Sequence, residues 1–591
     1  MRPLAGVFDV RASQPLRLAG ASGERHSGVT CRLSGFAVEI GSSRASTEHE
    51  LAELYGRWGS ELPQRLGGEY ALLVWDGERG QGLLARDRLG VGCVYLHEQG
   101  GTLHFAGELG ALLELLPSTP PPDRAGVAHW LAASARPGPT TLYEGVERLD
   151  PGTALLLSRT GWERRCYWRP RFRPPLQLGR SEAVELVREA LADAVGKRLD
   201  EAGAPTGVLM SGGLDSASVA ALAVADDRAD VRAYSGVFPD HRSVDESELI
   251  GELRTALALP GLDAAVSAGG LVAGAGEWAA RCAVPQLGWS DCWTLPLLRG
   301  AAQEGVRVLL GGDGGDELFG ARTALIADAL RSGRPLRSLS LARELPGAGR
   351  RPPLRALLRV WIELGATAAG PAWVEKRRQS RPGWLGRACA RTVIDTDDPT
   401  AWRRLDGPRW WAQAAHGLTR GIEERGIFEH QRLRAAAAGV QARHPLLDAD
   451  LLELMLSLAP ELSFDRHLDR PLLRDAMAGR LPEAVRLRAR KAWFDELVID
   501  ALRGPDAGAV EALLCVRDAE IGAWAEQPAV QRMVESGPPR GTGRFAWMHA
   551  VWRLSSLECW LRTLAGRPLP HAPTAAVELV SRRPASTVFQ P

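Results

Sequence analysis

A chain of 591 residues, 45% hydrophobic and 24% charged, has the composition of an ordinary globular protein and is too long for one core, so two or three domains are expected. Its 72 basic and 71 acidic residues give no bulk charge that would draw nucleic acid or an anionic membrane. The eight cysteines are scattered with no Cys-x-x-Cys, which indicates neither a zinc knuckle nor a disulfide framework. No signal-peptide pattern opens the sequence and no apolar run is long enough to span a bilayer, so the cytoplasm is the expected compartment.

Residues 1–168 read as short strands punctuated by glycine, an α+β layered domain. The turn Arg65-Leu66-Gly67-Gly68 opens an apolar strand that runs to Asp76. A second strand ends in Arg86-Asp87-Arg88-Leu89-Gly90, and residues 103–113 pass from strand to helix. Taken alone, Arg86-Asp87-Arg88 also fits a solvated corner. The Pro/Arg-rich stretch 169–180 marks a boundary, and Ser181 is the expected cap of the helix that follows.

A second domain, 181–565, is organised around Val208-Leu209-Met210-Ser211-Gly212-Gly213-Leu214-Asp215-Ser216. The apolar run predicts a buried parallel strand, and the alanine-rich stretch after it a helix. Glycine lets a phosphate approach the main chain, and a helix start offers unpaired N–H groups at the positive end of its dipole. Ser211 and Ser216 add hydroxyl donors, and Asp215 can hold a divalent cation against the same phosphates. No Gly-x-x-x-x-Gly-Lys followed by Ser or Thr occurs, so this is not the common P-loop.

Strands and helices then alternate, which predicts an α/β doubly wound parallel sheet with helical insertions. Residues 231–238 form the second strand, with Ser235 a candidate cofactor contact and Asp245-Glu246 at its carboxyl edge. The third strand, 306–310, runs into Gly311-Gly312-Asp313-Gly314-Gly315-Asp316-Glu317. Glycines 312 and 314 suit close approach to a ligand. Asp316, with Glu317 beside it, is expected to complete a magnesium site with Asp215. The Arg/Trp-rich stretch 321–425 fits amphipathic helices with arginine on the wet face, or a groove whose aromatic and Arg side chains hold a peptide. Arg443 is a candidate for orienting acidic partners or phosphate, or for a buried ion pair. The Pro/Ala/Arg-rich tail 566–591 has a composition that suits disorder.

Several of these stretches carry a family resemblance. Ser-Gly-Gly-x-Asp-Ser resembles the pyrophosphate-binding loop of the ATP pyrophosphatases, which cleave ATP to AMP and pyrophosphate. The strand to Asp76, the Arg86-Asp87 turn, the 103–113 segment and Leu149-Asp150-Pro151-Gly152 are together similar to a class II glutaminase domain. The Gly311–Gly320 loop, Gly439-Val440-Gln441-Ala442-Arg443 and Lys491-Ala492-Trp493-Phe494 resemble asparagine-synthetase signatures. Two positions depart from that pattern. Arg2 stands where the glutaminases carry a nucleophilic cysteine, so glutamine hydrolysis is not expected. Gln441 replaces a glutamate, and an amide cannot serve as a base.

The resemblance implies ATP and Mg2+, with Leu209, Ser211, Gly212, Gly213, Asp215, Ser216, Ser235, Gly312 and Gly314 at the nucleotide and magnesium on Asp215 and Asp316. Lys491, Asp316 and Arg443 become the catalytic candidates, Lys491 offsetting charge on the α-phosphate. With the cysteine gone, the resemblance points to ring-closing members of the superfamily. The expected reaction is that of a lasso-peptide macrolactam synthetase, joining a peptide's α-amine to an internal Asp or Glu. A leader-recognition protein and a leader peptidase would be its partners. A β-lactam-type ring-former, an ammonia-dependent asparagine synthetase and a non-catalytic peptide-binding scaffold are the alternatives.

Overall fold

The computed structural model describes residues 4–582 apart from 13, 20–23, 27, 43, 135–137, 200–202, 227–229, 346–357, 359–360, 372–381, 422–425, 490–492 and 542. Its amino-terminal strands are β1 (Ala5–Asp9), β2 (Leu16–Leu18), β3 (Glu24–His26), β4 (Val29–Glu39), β5 (Leu66–Asp76) and β6 (Gln81–Arg86). They continue with β7 (Tyr95–Gln99), β8 (Thr102–Ala106), β9 (Val146–Arg148), β10 (Thr153–Ser158) and β11 (Gly161–Cys166). Two antiparallel sheets result, ordered β2-β1-β8-β7-β9 and β11-β10-β6-β5-β4-β3.

Strand β5 shows why the layers stack. Successive side chains point to opposite faces, so an apolar strand with both faces covered must be sandwiched. Ala71, Leu73 and Trp75 pack toward Phe8, Leu103 and Phe105 of the other sheet. Leu72 and Val74 pack toward Leu51, Leu54 and Tyr55 of the helix Glu48–Trp58. The Arg86-Asp87-Arg88 turn is not a solvated corner, since Arg86 and Asp87 are each 1% exposed. Arg86 donates to the carbonyls of Gly90, Gly92 and Leu149. Asp87 accepts the N–H groups of Tyr70, Leu89, Val91 and Gly92, and burial pushes its carboxyl up to about 6 despite Arg86 beside it.

The second domain holds β12 (Thr206–Leu209), β13 (Val231–Val237), β14 (Gly261–Val266), β15 (Val308–Leu310), β16 (Gln441–Arg443) and β17 (Val577–Arg582), ordered β16-β15-β12-β13-β14-β17. Neighbours are parallel except β17, which runs antiparallel along β14. The order reverses at β12, with β13 and β14 on one side and β15 and β16 on the other. The expected doubly wound sheet is therefore present, and its crevice opens between the carboxyl ends of β12 and β15.

Three local expectations are corrected. The first helix of the second domain is Arg180–Gly196, begun by Gly179, whose N–H donates to Glu182 Oε2 at 2.8 Å, so Ser181 lies within the first turn. Strand β14 was not anticipated. Its Gly-Leu-Asp-Ala-Ala-Val pattern is broken by Asp263, which is buried because Arg254 pairs with it at 2.7 Å. The tail is ordered as far as β17, because an antiparallel partner satisfies the open edge of β14; residues 583–591 lie outside the described ones.

Within 321–425 the described residues form helices that include Leu325–Arg331, Pro335–Arg343, Arg387–Thr396 and Arg409–His416. Trp402, Trp410 and Trp411 belong to the main core, and Asp328 accepts the N–H groups of Arg409 and Trp410. Their burial follows the amphipathic-helix reading; Trp373 lies outside the described residues. The two domains share apolar packing, as Leu109, Val127 and Tyr143 join the cluster of the helix Gly543–Leu564. Among the described residues no helix is long and apolar enough to cross a membrane, and the eight cysteines are free thiols.

Candidate active site

The two glycine-rich loops leave neighbouring strand ends and meet. Ser211-Gly212-Gly213 turns the chain from β12 into the helix Leu214–Val224, and Gly311-Gly312-Asp313-Gly314 turns β15 into the helix Gly315–Phe319. A Cβ on Gly312 would stand 2.6 Å from the Ser216 nitrogen, and one on Gly315 would stand 2.4 Å from Asp215 Cγ. Only glycine permits this approach. Gly314, at φ +90°, begins the second helix and packs under Leu447; it shapes the loop rather than facing the cleft.

Between the loops lies a cleft of about 450 Å³. Leu209, Ser211, Gly213, Asp215, Ser216 and Gly312 line it, as the sequence indicated. The Ser211 and Ser216 hydroxyls lie 3.1 Å apart. Gly212 turns its N–H to Glu246 Oε2 at 3.0 Å, which ties the loop to the start of the helix Ser247–Ala256. Ser235 is fully buried within β13, and its neighbour Gly236 reaches the cleft instead. Phe238, Trp293 and Phe494 form an apolar wall, with the Phe238 and Phe494 rings 5.1 Å apart.

Arginines complete the site. Arg470 Nη1 donates to Asp215 Oδ2 at 2.5 Å and pairs with Asp316 Oδ1 at 2.9 Å, while Nη2 meets Asp469 at 2.9 Å. Burial works against its charge, but the three carboxylates outweigh it and raise its pKa. Its φ of +53° is an unusual backbone for arginine, held between Asp469 and Pro471. Arg488 bridges Glu246 at 2.5 Å and the Gly212 carbonyl at 3.1 Å. Sequence reasoning missed Arg470 and Arg488. The available signal was the surplus of acids in the two loops, which requires nearby cations.

Asp215 and Asp316 reach one guanidinium nitrogen, so two hard oxygen donors converge on a single point. Among the described residues no group of three or more His, Cys, Asp or Glu could hold a metal. Magnesium needs only one or two carboxylates beside phosphate oxygens and water, so the pair fits it.

Arg443 does not reach the cleft. It donates to the Arg198 and Leu199 carbonyls at 3.1 Å each and to Gln441 Oε1 at 3.0 Å, and it lies 4.4 Å over the Phe36 ring. Gln441 borders a separate cavity between the domains. Lys491 and Arg2 lie outside the described residues. Asp313, not singled out from the sequence, lines the cleft with its Oδ2 3.9 Å from His444 Nε2.

A doubly wound domain with two glycine-rich loops meeting at its switch point is joined to a two-sheet domain. Residues 186–562 match the family described as Asparagine synthase, and residues 39–168 match a Glutamine amidotransferase domain. The chain belongs to the asparagine synthase family. It is 30% identical over 291 residues to a Mycobacterium bovis protein provisionally named asparagine synthetase (glutamine-hydrolyzing), covering 46% of this chain and 42% of that protein. It is 30% identical over 198 residues to asparagine synthetase (glutamine-hydrolyzing) 3 of Bacillus subtilis, covering 32% of each. It is 28% identical over 303 residues to amidase chry2 of Gibberella zeae, covering 47% and 43%. Each match spans less than half of the relative's own length.

Proposed function

We propose that this protein is an ATP-dependent carbon–nitrogen ligase that activates a carboxylate as its adenylate and closes an amide ring. The observation that carries the reading is the meeting of the Ser-Gly-Gly-x-Asp-Ser loop with the Gly311–Gly320 loop, which directs Asp215 and Asp316 to one point beside an anion-ready helix start. In the first step a substrate carboxylate oxygen attacks the α-phosphorus of ATP. The bond to the bridging oxygen breaks and pyrophosphate leaves. The substrate amine then attacks the acyl carbon, AMP departs, and the amine's proton needs an acceptor.

Ser211, Ser216 and the first N–H groups of the helix Leu214–Val224 would bind phosphate oxygens, a role supported by the two serines lining the cleft. Arg470, Arg474 and Arg488 line the cleft and offset negative charge as pyrophosphate forms. Bound on Asp215 and Asp316, magnesium would supply further charge neutralisation. We assign to Lys491 the same task at the α-phosphate. Asp313 is the proton acceptor in this reading, because it lines the cleft with the His444 ring nitrogen 3.9 Å away, whereas Asp215, Asp316, Asp469 and Glu246 each pair with an arginine at 2.9 Å or less.

For the substrate we propose a peptide, closed as a macrolactam between its α-amine and an Asp or Glu side chain. A leader-recognition protein and a leader peptidase would act before it, in the cytoplasm. One observation favours a small amino-acid-derived substrate instead: the insertion's Trp402, Trp410 and Trp411 are buried, so they offer no aromatic peptide groove. Mass spectrometry tests both readings. Loss of one water with stoichiometric AMP, from a peptide or from a small amino acid derivative, chooses between them, and ADP as the main product defeats both.

A further inference from the structure

Glu69 stands on β5 yet is only 4% exposed, and its partners come from the other domain. Its Oε1 accepts from Arg198 Nε at 2.6 Å and from the His444 backbone N–H at 2.9 Å; its Oε2 faces His444 Nδ1 at 3.1 Å. Arg198 also donates to Asp448 Oδ2 at 2.9 Å. His444, 1% exposed, turns Nε2 toward Gln431 Oε1 at 2.5 Å and Asp313 Oδ2 at 3.9 Å. Glu69 Oε2 faces Nδ1, and Gln431 Oε1 and Asp313 Oδ2 face Nε2, an arrangement that favours the protonated ring. Burial would lower its pKa, but the Glu69 hydrogen bond and charge, with Asp313, outweigh burial and the repulsion of Arg198 and raise it.

A buried charge network is seldom the most stable filling for a seam, because desolvation offsets much of its attraction. What this one gains is orientation. Glu69 borders an interdomain cavity of about 460 Å³, whereas Gln431 and Asp313 line the cleft, and His444 stands between the two sides. The groups facing the ring are Glu69 from β5, Arg198 beyond the helix Arg180–Gly196, Asp313 from the loop after β15, and Gln431 with the Phe428 ring from the helix Ile427–Ala438. We propose that Glu69 of the amino-terminal domain is a positioning residue for the cleft, holding His444 so that it orients Asp313 and Gln431 toward the reacting groups. The proposal rests on the ligase reading above and gives the amino-terminal domain a task at the cleft.

The test begins with His444→Asn, which keeps a donor toward Glu69 and leaves the Glu69–Arg198 pair intact. Turnover for pyrophosphate release should fall about 10- to 100-fold, the usual cost of losing an orienting partner, with the KM for ATP within about twofold. Asp313→Asn should cost more, and adding His444→Asn to it should cost little further. In Glu69→Gln, checked for folding by its melting temperature, the alkaline loss of activity should move to lower pH as His444 gives up its proton more readily. Full turnover in His444→Asn, or fully multiplicative losses in the double variant, would overturn the proposal. If wild-type protein releases no pyrophosphate with any carboxylate offered, the ligase reading fails by itself. Nitrogen-15 histidine spectra then decide the network: a neutral His444 at pH 7 overturns it, and a cationic one that loses its proton in Glu69→Gln supports it.

Discussion

Arg86 in the amino-terminal domain and Arg470 in the cleft are both buried, but they face different partners. Arg86 donates to three main-chain carbonyls and is fixed with the strands that carry them. Arg470 faces three side-chain carboxylates beside open space. A charge satisfied by main chain is part of the fold, because its partners cannot move without unfolding a turn. A charge satisfied by side chains at a cleft can be given a new partner by a ligand. The comparison separates architecture from chemistry where composition cannot.

Substitutions should divide along that line. Asp215→Asn and Asp316→Asn should lower pyrophosphate release by about 10³-fold or more while the melting temperature holds, since each withdraws one carboxylate of the proposed magnesium pair; unfolding in step with lost activity would break the distinction. Arg86→Met should do the reverse. Three stranded carbonyls and the unbalanced Asp87 should cost about 3–5 kcal/mol in chemical denaturation. Trp410→Ala should behave like Arg86→Met, destabilising by about 3–5 kcal/mol as a core cavity. A stable Trp410→Ala protein with weakened peptide binding would return the insertion to the substrate.

A smaller effect concerns the seam. For Glu69, burial raises the carboxyl pKa, but Arg198 and His444 prevail and hold it at about 2, below its ordinary value. That contribution to stability is present above about pH 4.5 and is lost as pH falls toward 2. His444 is raised, so its contribution is full below about pH 6.5 and is lost as pH rises through the folded value. Melting temperature against pH should therefore peak between these limits, and Glu69→Gln should flatten the acid side. The smallest effect is expected for Arg582→Ala. Its pair with Asp263 at 2.8 Å is half exposed and should contribute less than about 1 kcal/mol.

The cleft was legible from sequence where function is local. Ser211 to Ser216 and Gly311 to Gly320 each announce a strand, a turn and a ligand-facing loop, and a doubly wound order brings two such loops together. Arg470 was not legible, because it is remote from both loops and its orientation depends on a left-handed backbone. Glu69 and His444 lie in two separate signature stretches, and their pairing exists only where the domains dock. The tryptophans of 321–425 show the limit of composition, since an aromatic count does not say which face of a helix is covered. Arg443 shows the same limit, reading as a site residue in its motif and acting as a brace in the fold.

The antiparallel seating of β17 on β14 has a consequence for how the chain is made. β14 emerges from the ribosome early, whereas its outer neighbour follows only after the insertion and the long helix Gly543–Leu564. Throughout that interval the parallel sheet presents an unpaired rim, the kind of surface to which another nascent copy can attach. Late closure makes the final strand a seal against aggregation, and shortening the chain before residue 577 should show first in yield and not in turnover.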